Sequence, residues 1–369
     1  MSQQHLPALD AVRGLAVLLV FVSHAANDGF LPPWLGQGAG QMGVQLFFML
    51  SGYLMMRLYG PVAFDRTAIR TFWVARAARI LPIYWLILIL SAAAGIVGIA
   101  PYYQVDDLGT FLAAAAMVIA PQELWSIPVE VQFYALFIGI WPALASRRVS
   151  LPLAALLLCG CVVIAATWRL GVTQAPLLPS FLVPFMVGVV LAKWPVRISG
   201  TSRRSLPWLA LGLLILNLPG IRGAVGAEIW QGFYPQTWLD PFRLAAATFC
   251  LVTAIATRDR WILGWPLEVL GRISLGVYLI HRPVLRGIGD LLPSTPASAL
   301  ALLGLTVVLA RISFRVFEQP AQRYLRRVLT PPQRRAPPPE ASSPRGHGRA
   351  SFQAETGQPK ARSSARPTA

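Results

Sequence analysis

The chain has 369 residues, 55% of them hydrophobic and only 13% charged, and its mean hydropathy is +0.57. A soluble domain carries about a quarter charged residues, so the composition excludes an ordinary soluble enzyme and predicts an all-α polytopic membrane protein. The net charge of +17 does not imply a nucleic-acid partner, because the basic residues fall between apolar runs and in the C-terminal tail, where they set topology.

The apolar runs predict about ten spanning helices, at about 11–27, 40–58, 80–99, 125–145, 150–169, 178–195, 206–219, 239–257, 266–288 and 296–316. The 109–120 stretch is too short to span and is expected to be re-entrant or interfacial. Arg57, Arg66, Arg70, Arg76 and Arg79 follow the second span. Arg147 and Arg148, then Lys193, Arg197, Arg203 and Arg204, then Arg258 and Arg260 follow later ones. Asp28, Asp106 and Asp107 fall on the other side, so the positive-inside rule puts both termini in the cytoplasm. Residues 1–329 form the membrane domain. Residues 330–369, rich in Pro, Arg and Ser, are expected to be a disordered basic cytoplasmic tail.

The first span reads RGLAVLLVFVSH, from Arg13 to His24. Its apolar stretch followed by SHAA also fits a signal peptide, but no Lys or Arg precedes Arg13 and Asp10 stands where a basic region belongs. Eleven residues of α-helix return Arg13 and His24 to one face, roughly 16 Å apart along the axis. They can line one passage without touching. Histidine suits proton transfer near neutral pH, whereas the alternatives are an interfacial His24 and a snorkelling Arg13.

RTFWVARAARILPIYW places Arg76 and Arg79 three apart at the cytoplasmic border. The pair suits phosphate binding, and equally an inside-positive stop. In WSIPVEVQFY, Ser126, Glu130 and Tyr134 form an i, i+4, i+8 ladder beside Trp125, with Ser126 expected as N-cap. A carboxylate here either complements the helix dipole or belongs to a site. Tyr278 and His281 lie three apart in SLGVYLIHRPVL, and FRVFEQP closes the last span. Cys159, Cys161 and Cys250 read as packing residues, and the histidines have no metal-ligand spacing.

Taken in order, LDAVRGLAVLLVFVSH, GVQLFFMLSGYLM, FWVARAARILPIYW, WSIPVEVQFY, LGVYLIHRPV and F-E-Q-P resemble the membrane acyltransferase-3 family over roughly residues 6–327. The resemblance implies a ten-helix enzyme of the bacterial inner membrane. It would move an acyl group, commonly acetyl, from cytoplasmic acyl-CoA to a hydroxyl of a surface or exported glycan or related metabolite, with no bound cofactor. His24 would match the catalytic histidine, acting as general base or as transient acyl carrier, and Arg13 its paired arginine. Glu130, with Trp125 and Ser126, would match a second functional motif, and Arg76 with Arg79 the cytoplasmic arginine motif. Tyr134, Tyr278 and His281 join the candidate substrate-binding residues, and Glu130 is expected to orient His24. Gln45 stands where many relatives carry an acid. No esterase-like domain follows the membrane part, so final transfer is expected from this chain or from a separate extracytoplasmic transferase. The competing class is a non-enzymatic transporter, since intramembrane Arg, His and Glu also mark solute paths.

Overall fold

A computed structural model describes residues 6–105, 107–145, 178–196, 198, 205–226, 240–257 and 264–330. The expected span at 150–169, the loop residues Arg147, Arg148, Arg197, Arg203, Arg204, Arg258 and Arg260, Cys159, Cys161 and the tail beyond Thr330 lie outside these residues. All regular structure described is helical: α1 (Pro7–Asn27), α2 (Gly40–Tyr59), α3 (Arg66–Ile96), α4 (Leu108–Ala115), α5 (Ser126–Ala145), α6 (Leu178–Lys193) and α7 (Leu206–Leu216). There follow α8 (Pro219–Ala224), α9 (Pro241–Thr257), α10 (Trp265–Arg272), α11 (Ser274–Gly287), α12 (Pro296–Ser313), a π turn at Phe314–Glu318 and α13 (Gln319–Leu329).

The protein is an all-α polytopic membrane protein. Among the described residues, four helices are long and apolar enough to cross a membrane: Pro7–Asn27, Arg66–Ile96, Gln122–Ala143 and Pro296–Leu329. Three shorter apolar helices cover Phe181–Lys193, Leu206–Leu216 and Pro241–Thr257. Of the ten expected, the span at 150–169 lies outside the described residues, and others fall short for local reasons. The run 266–288 is broken at Ile273 into α10 and α11. α2 carries Gln41, Gln45, Ser51 and Arg57 along its 20 residues, which dilutes its apolar character. The 109–120 stretch yields only the eight-residue α4, capped by Asp107, whose carboxylate accepts from Thr110 N at 2.9 Å.

α1 is the central element, with 72% of its most apolar stretch buried, against 28% for α12–α13. It packs on α2, α9, α10 and α11. Its contact with α10 is made backbone to backbone: a Cβ on Gly14 would strike the Leu267 carbonyl, and one on Gly271 would strike the Asp10 carbonyl. α2 and α6 meet the same way, with Gly52 against Phe185 and Gly188 against Met49. Where lipid tails supply no hydrophobic contrast, close van der Waals contact through small residues is what holds helices together. The largest core cluster, around Phe48, Phe133, Phe181 and Phe185, joins α2, α5 and α6 by ring stacking.

Candidate active site

An inner chamber is walled by α1, α2, α3, α5 and α11. α1 contributes Arg13, α3 contributes Arg76 and Arg79, and α5 contributes Ser126, Glu130 and Tyr134. Of the α5 ladder, Glu130 and Tyr134 are joined directly: Glu130 Oε1 accepts from Tyr134 Oη and from Ser51 Oγ of α2, each at 2.5 Å. Arg76 is buried, with its guanidinium 5.9 Å from the Tyr59 ring and 6.0 Å from the Tyr134 ring, so aromatic faces support the cation. Its Nε has no hydrogen-bond partner among the described residues. Arg13 donates to Asp10 at 2.6 Å.

Arg13 and Arg79 also line a larger cavity, beside Arg272, Arg311, Arg315 and Arg326. Asp10 and Glu318 are the carboxylates among its lining residues. A concave surface this rich in guanidinium focuses positive potential, which concentrates anions. This basic vestibule therefore adjoins the inner chamber through two shared arginines.

An outer chamber lies at the far end of α1, lined by His24, Asn27, Gln41, Glu123 and Trp125 among others. His24 Nδ1 is 3.9 Å from Glu123 Oε1, close enough for the carboxylate to stabilise an imidazolium although too long for a direct hydrogen bond. Glu123 is itself held. Its Oε2 accepts from Tyr102 Oη at 2.6 Å, and Arg282 Nε lies 3.1 Å from Oε1. Arg282 also donates to Tyr102 Oη at 3.0 Å and to Asp28 Oδ2 at 2.6 Å. Burial, then the bond to Glu123, push the Tyr102 hydroxyl up to about 12, so it remains a donor at any physiological pH. The His281 ring is 5.2 Å from that of His24 and fully buried. Its Nδ1 lies 2.6 Å from the Tyr278 carbonyl, which can only accept, so Nδ1 carries the proton and Nε2 the lone pair.

The model of the acyltransferase-3 family, described as an acyltransferase domain, matches residues 6–314. The chain belongs to the acyltransferase-3 family. Among curated relatives of this acyltransferase-3 member is YrhL of Bacillus subtilis (strain 168), provisionally named a peptidoglycan O-acetyltransferase. It is 23% identical over 86% of the chain and 55% of the relative. The peptidoglycan O-acetyltransferase OatA of Listeria monocytogenes is also 23% identical, over 87% of the chain and 56% of the relative. An O-acetyltransferase of Staphylococcus aureus (strain COL), again provisionally named, is 29% identical over 37% of the chain and 24% of the relative. The chain thus spans about half the length of the first two. No solved structure matches it significantly. It is a multi-pass protein of the bacterial inner (plasma) membrane.

Within this acyltransferase-3 chain the structure gathers Arg13, Arg76, Arg79, Ser126, Glu130, Tyr134 and Tyr278 around the inner chamber. His24 and Trp125 are in the outer one with Tyr278, and His281 is packed behind His24. The expected pairing of Glu130 with His24 is not what forms. Glu130 is bonded to Ser51 and Tyr134, and the acid beside His24 is Glu123, seven residues earlier and on the other side of Tyr278. Nor does Ser126 spend its hydroxyl on capping α5. It donates to Tyr278 Oη at 3.0 Å, because a 3₁₀ turn, Gln122–Trp125, runs directly into the helix. Asp28, Tyr102, Glu123 and Arg282 carried no sequence signal beyond the polarity of isolated residues near span ends.

Proposed function

We propose that the chain is an integral-membrane O-acyltransferase that moves an acyl group, acetyl in the first instance, from acyl-CoA to a hydroxyl of a cell-surface or exported glycan. The observation that carries this reading is the pair of chambers at the two ends of α1. One carries the cationic Arg13, Arg76 and Arg79, and the other carries His24 beside Glu123. The basic vestibule suits the phosphates of CoA, which Arg272, Arg311, Arg315 and Arg326 would meet through charge-assisted hydrogen bonds. The pantetheine arm would then enter the inner chamber and present the thioester toward His24. The peptidoglycan O-acetyltransferase names of the curated relatives support a glycan acceptor.

In the transfer, His24 takes the proton from the acceptor hydroxyl as its oxygen attacks the thioester carbonyl carbon. The C–S bond breaks, and the CoA sulfur leaves and recovers that proton, giving the ester and the free thiol. Glu123 stabilises the imidazolium formed in between, and Tyr102 and Arg282 hold Glu123 in place. We also assign the chain ten spans, both termini in the cytoplasm and a basic tail from about residue 330, on the charge alternation of its loops. A separate extracytoplasmic transferase as final donor is compatible with this arrangement.

Membranes containing the protein, given radiolabelled acetyl-CoA and a muropeptide or capsular glycan, should form alkali-labile ester, and His24→Ala at equal expression should form it at least about a hundredfold more slowly. Uptake of a solute without any new ester would instead identify a transporter.

A further inference from the structure

Tyr278 stands where the two chambers meet. Among the described residues, it and Val44 alone line both. Its ring is buried, edge-on to Phe47 with centroids 6.3 Å apart, and lies 5.8 Å from His281. Its hydroxyl is held twice, accepting from Ser126 Oγ at 3.0 Å and donating to the Glu123 carbonyl at 2.9 Å. A phenol gripped at its tip and packed along its side has one orientation open to it, so the ring is a fixed wall rather than a loose plug. The arginines lie on one side of this wall and His24 on the other.

We infer that the gap between Tyr278 and Val44 is the aperture that selects the acyl group, admitting the short acyl end of a thioester from the inner chamber to His24 and refusing longer chains. This rests on acyl-CoA being the donor. The tyrosine is the residue that can do this because it is the bulky side chain common to both chambers. The bond to the Glu123 main chain ties the aperture to the turn that carries the acid beside His24. Removing the ring opens the wall, whereas removing the hydroxyl alone loosens it without changing its bulk.

Two measurements test this. In the first, acetyl-, butyryl- and hexanoyl-CoA are compared as donors for the parent protein, Tyr278→Phe, Tyr278→Ala and Val44→Ala. The hexanoyl-to-acetyl ratio of kcat/KM should rise about tenfold or more in both alanine variants, the scale on which apolar pockets discriminate chain length. It should stay near the parent value in Tyr278→Phe. An unchanged ratio in both alanine variants overturns the inference. Val44→Ala keeps the test valid if Tyr278→Ala does not fold.

The second measurement needs no turnover. Gln41→Cys, which places a thiol in the outer chamber, is made in a chain whose Cys159, Cys161 and Cys250 are replaced by alanine. A charged methanethiosulfonate is then supplied only from the side of Arg76 and Arg79. Labelling should be absent with Tyr278 present and appear with Tyr278→Ala. Equal labelling in both overturns the aperture. A protein inactive with every acyl-CoA but labelled in this Tyr278-dependent way would instead overturn the donor reading and leave the aperture standing.

Discussion

His24 and Glu123 face each other across the outer chamber, Nδ1 to Oε1 3.9 Å, although one ends the first span and the other precedes α5. The relation divides the two glutamates of this region by role. Glu130 is bonded within the inner chamber to Ser51 and Tyr134, and Glu123 alone of the two is near an imidazole.

Kinetics should separate them. His24→Ala is expected to lower kcat by about 10²–10⁴-fold, the usual contribution of a general base. Glu123→Gln should lower kcat by less and leave KM for acyl-CoA unchanged. Glu130→Gln should act mainly on KM for acyl-CoA, since the group it supports lies beside Arg76. Steady-state ester formation in proteoliposomes, with folding checked by size-exclusion chromatography, gives all three values. A kcat effect confined to Glu130→Gln would reverse the assignment.

The two arginines of α3 should differ as well. Arg79 borders both the vestibule and the inner chamber, and Arg79→Ala is expected to raise KM for acyl-CoA about tenfold to a hundredfold, the value of a hydrogen bond to a charged group. Arg76 lies against the Tyr59 and Tyr134 rings. Arg76→Lys should therefore fail to restore what Arg76→Ala loses, because a compact ammonium cannot spread over two aromatic faces as guanidinium does. Titration of acyl-CoA in the same assay reads both.

A third expectation concerns pH. The Tyr102 hydroxyl is raised from 10.0 to about 12 by burial and by its bond to Glu123. A raised value means that the neutral form is the one favoured by folding. Its contribution is complete below the ordinary phenol value and disappears as pH rises through about 12. The difference in melting temperature between the parent protein and Tyr102→Phe should thus be constant from neutral pH to about 10 and shrink above it. A gap that already closes near neutrality would show that another group governs it.

Packing makes the fourth. Gly14→Leu or Gly271→Val would force a side chain into a facing carbonyl, and overpacking of that kind costs about 1–3 kcal/mol or more. Gly95 in α3 has nothing within reach of an added Cβ, so Gly95→Ala should be neutral or stabilising by about 0.5–1 kcal/mol from helix propensity. Thermal denaturation in one detergent compares the three.

What could be read ahead of the structure was whatever repeats along one helix. The common face of Arg13 and His24 and the Ser126–Glu130–Tyr134 ladder follow from helical phase alone; Arg13 and the ladder line the inner chamber, whereas His24 lines the outer one rather than a shared passage. The partner of His24 could not be read this way. Glu123 sits in a 3₁₀ turn, and Tyr102, Arg282 and Asp28 come from a loop, from α11 and from the end of α1. Only tertiary packing joins them. The break at Ile273 did leave a mark, Gly271 and Arg272 before it and Ser274 after it, which a reading by overall hydropathy passes over.

The glycine contact between α1 and α10 bears on how the protein can work. Alternating-access carriers rock one bundle against another, and that demands an interface able to slide. Gly14 on Leu267 and Gly271 on Asp10 instead interlock like meshed teeth, so a one-residue shift of either helix would drive a side chain into a main-chain carbonyl. The rod that carries both Arg13 and His24 is thereby anchored in register. Whatever crosses this protein must do so around a central helix that stands still.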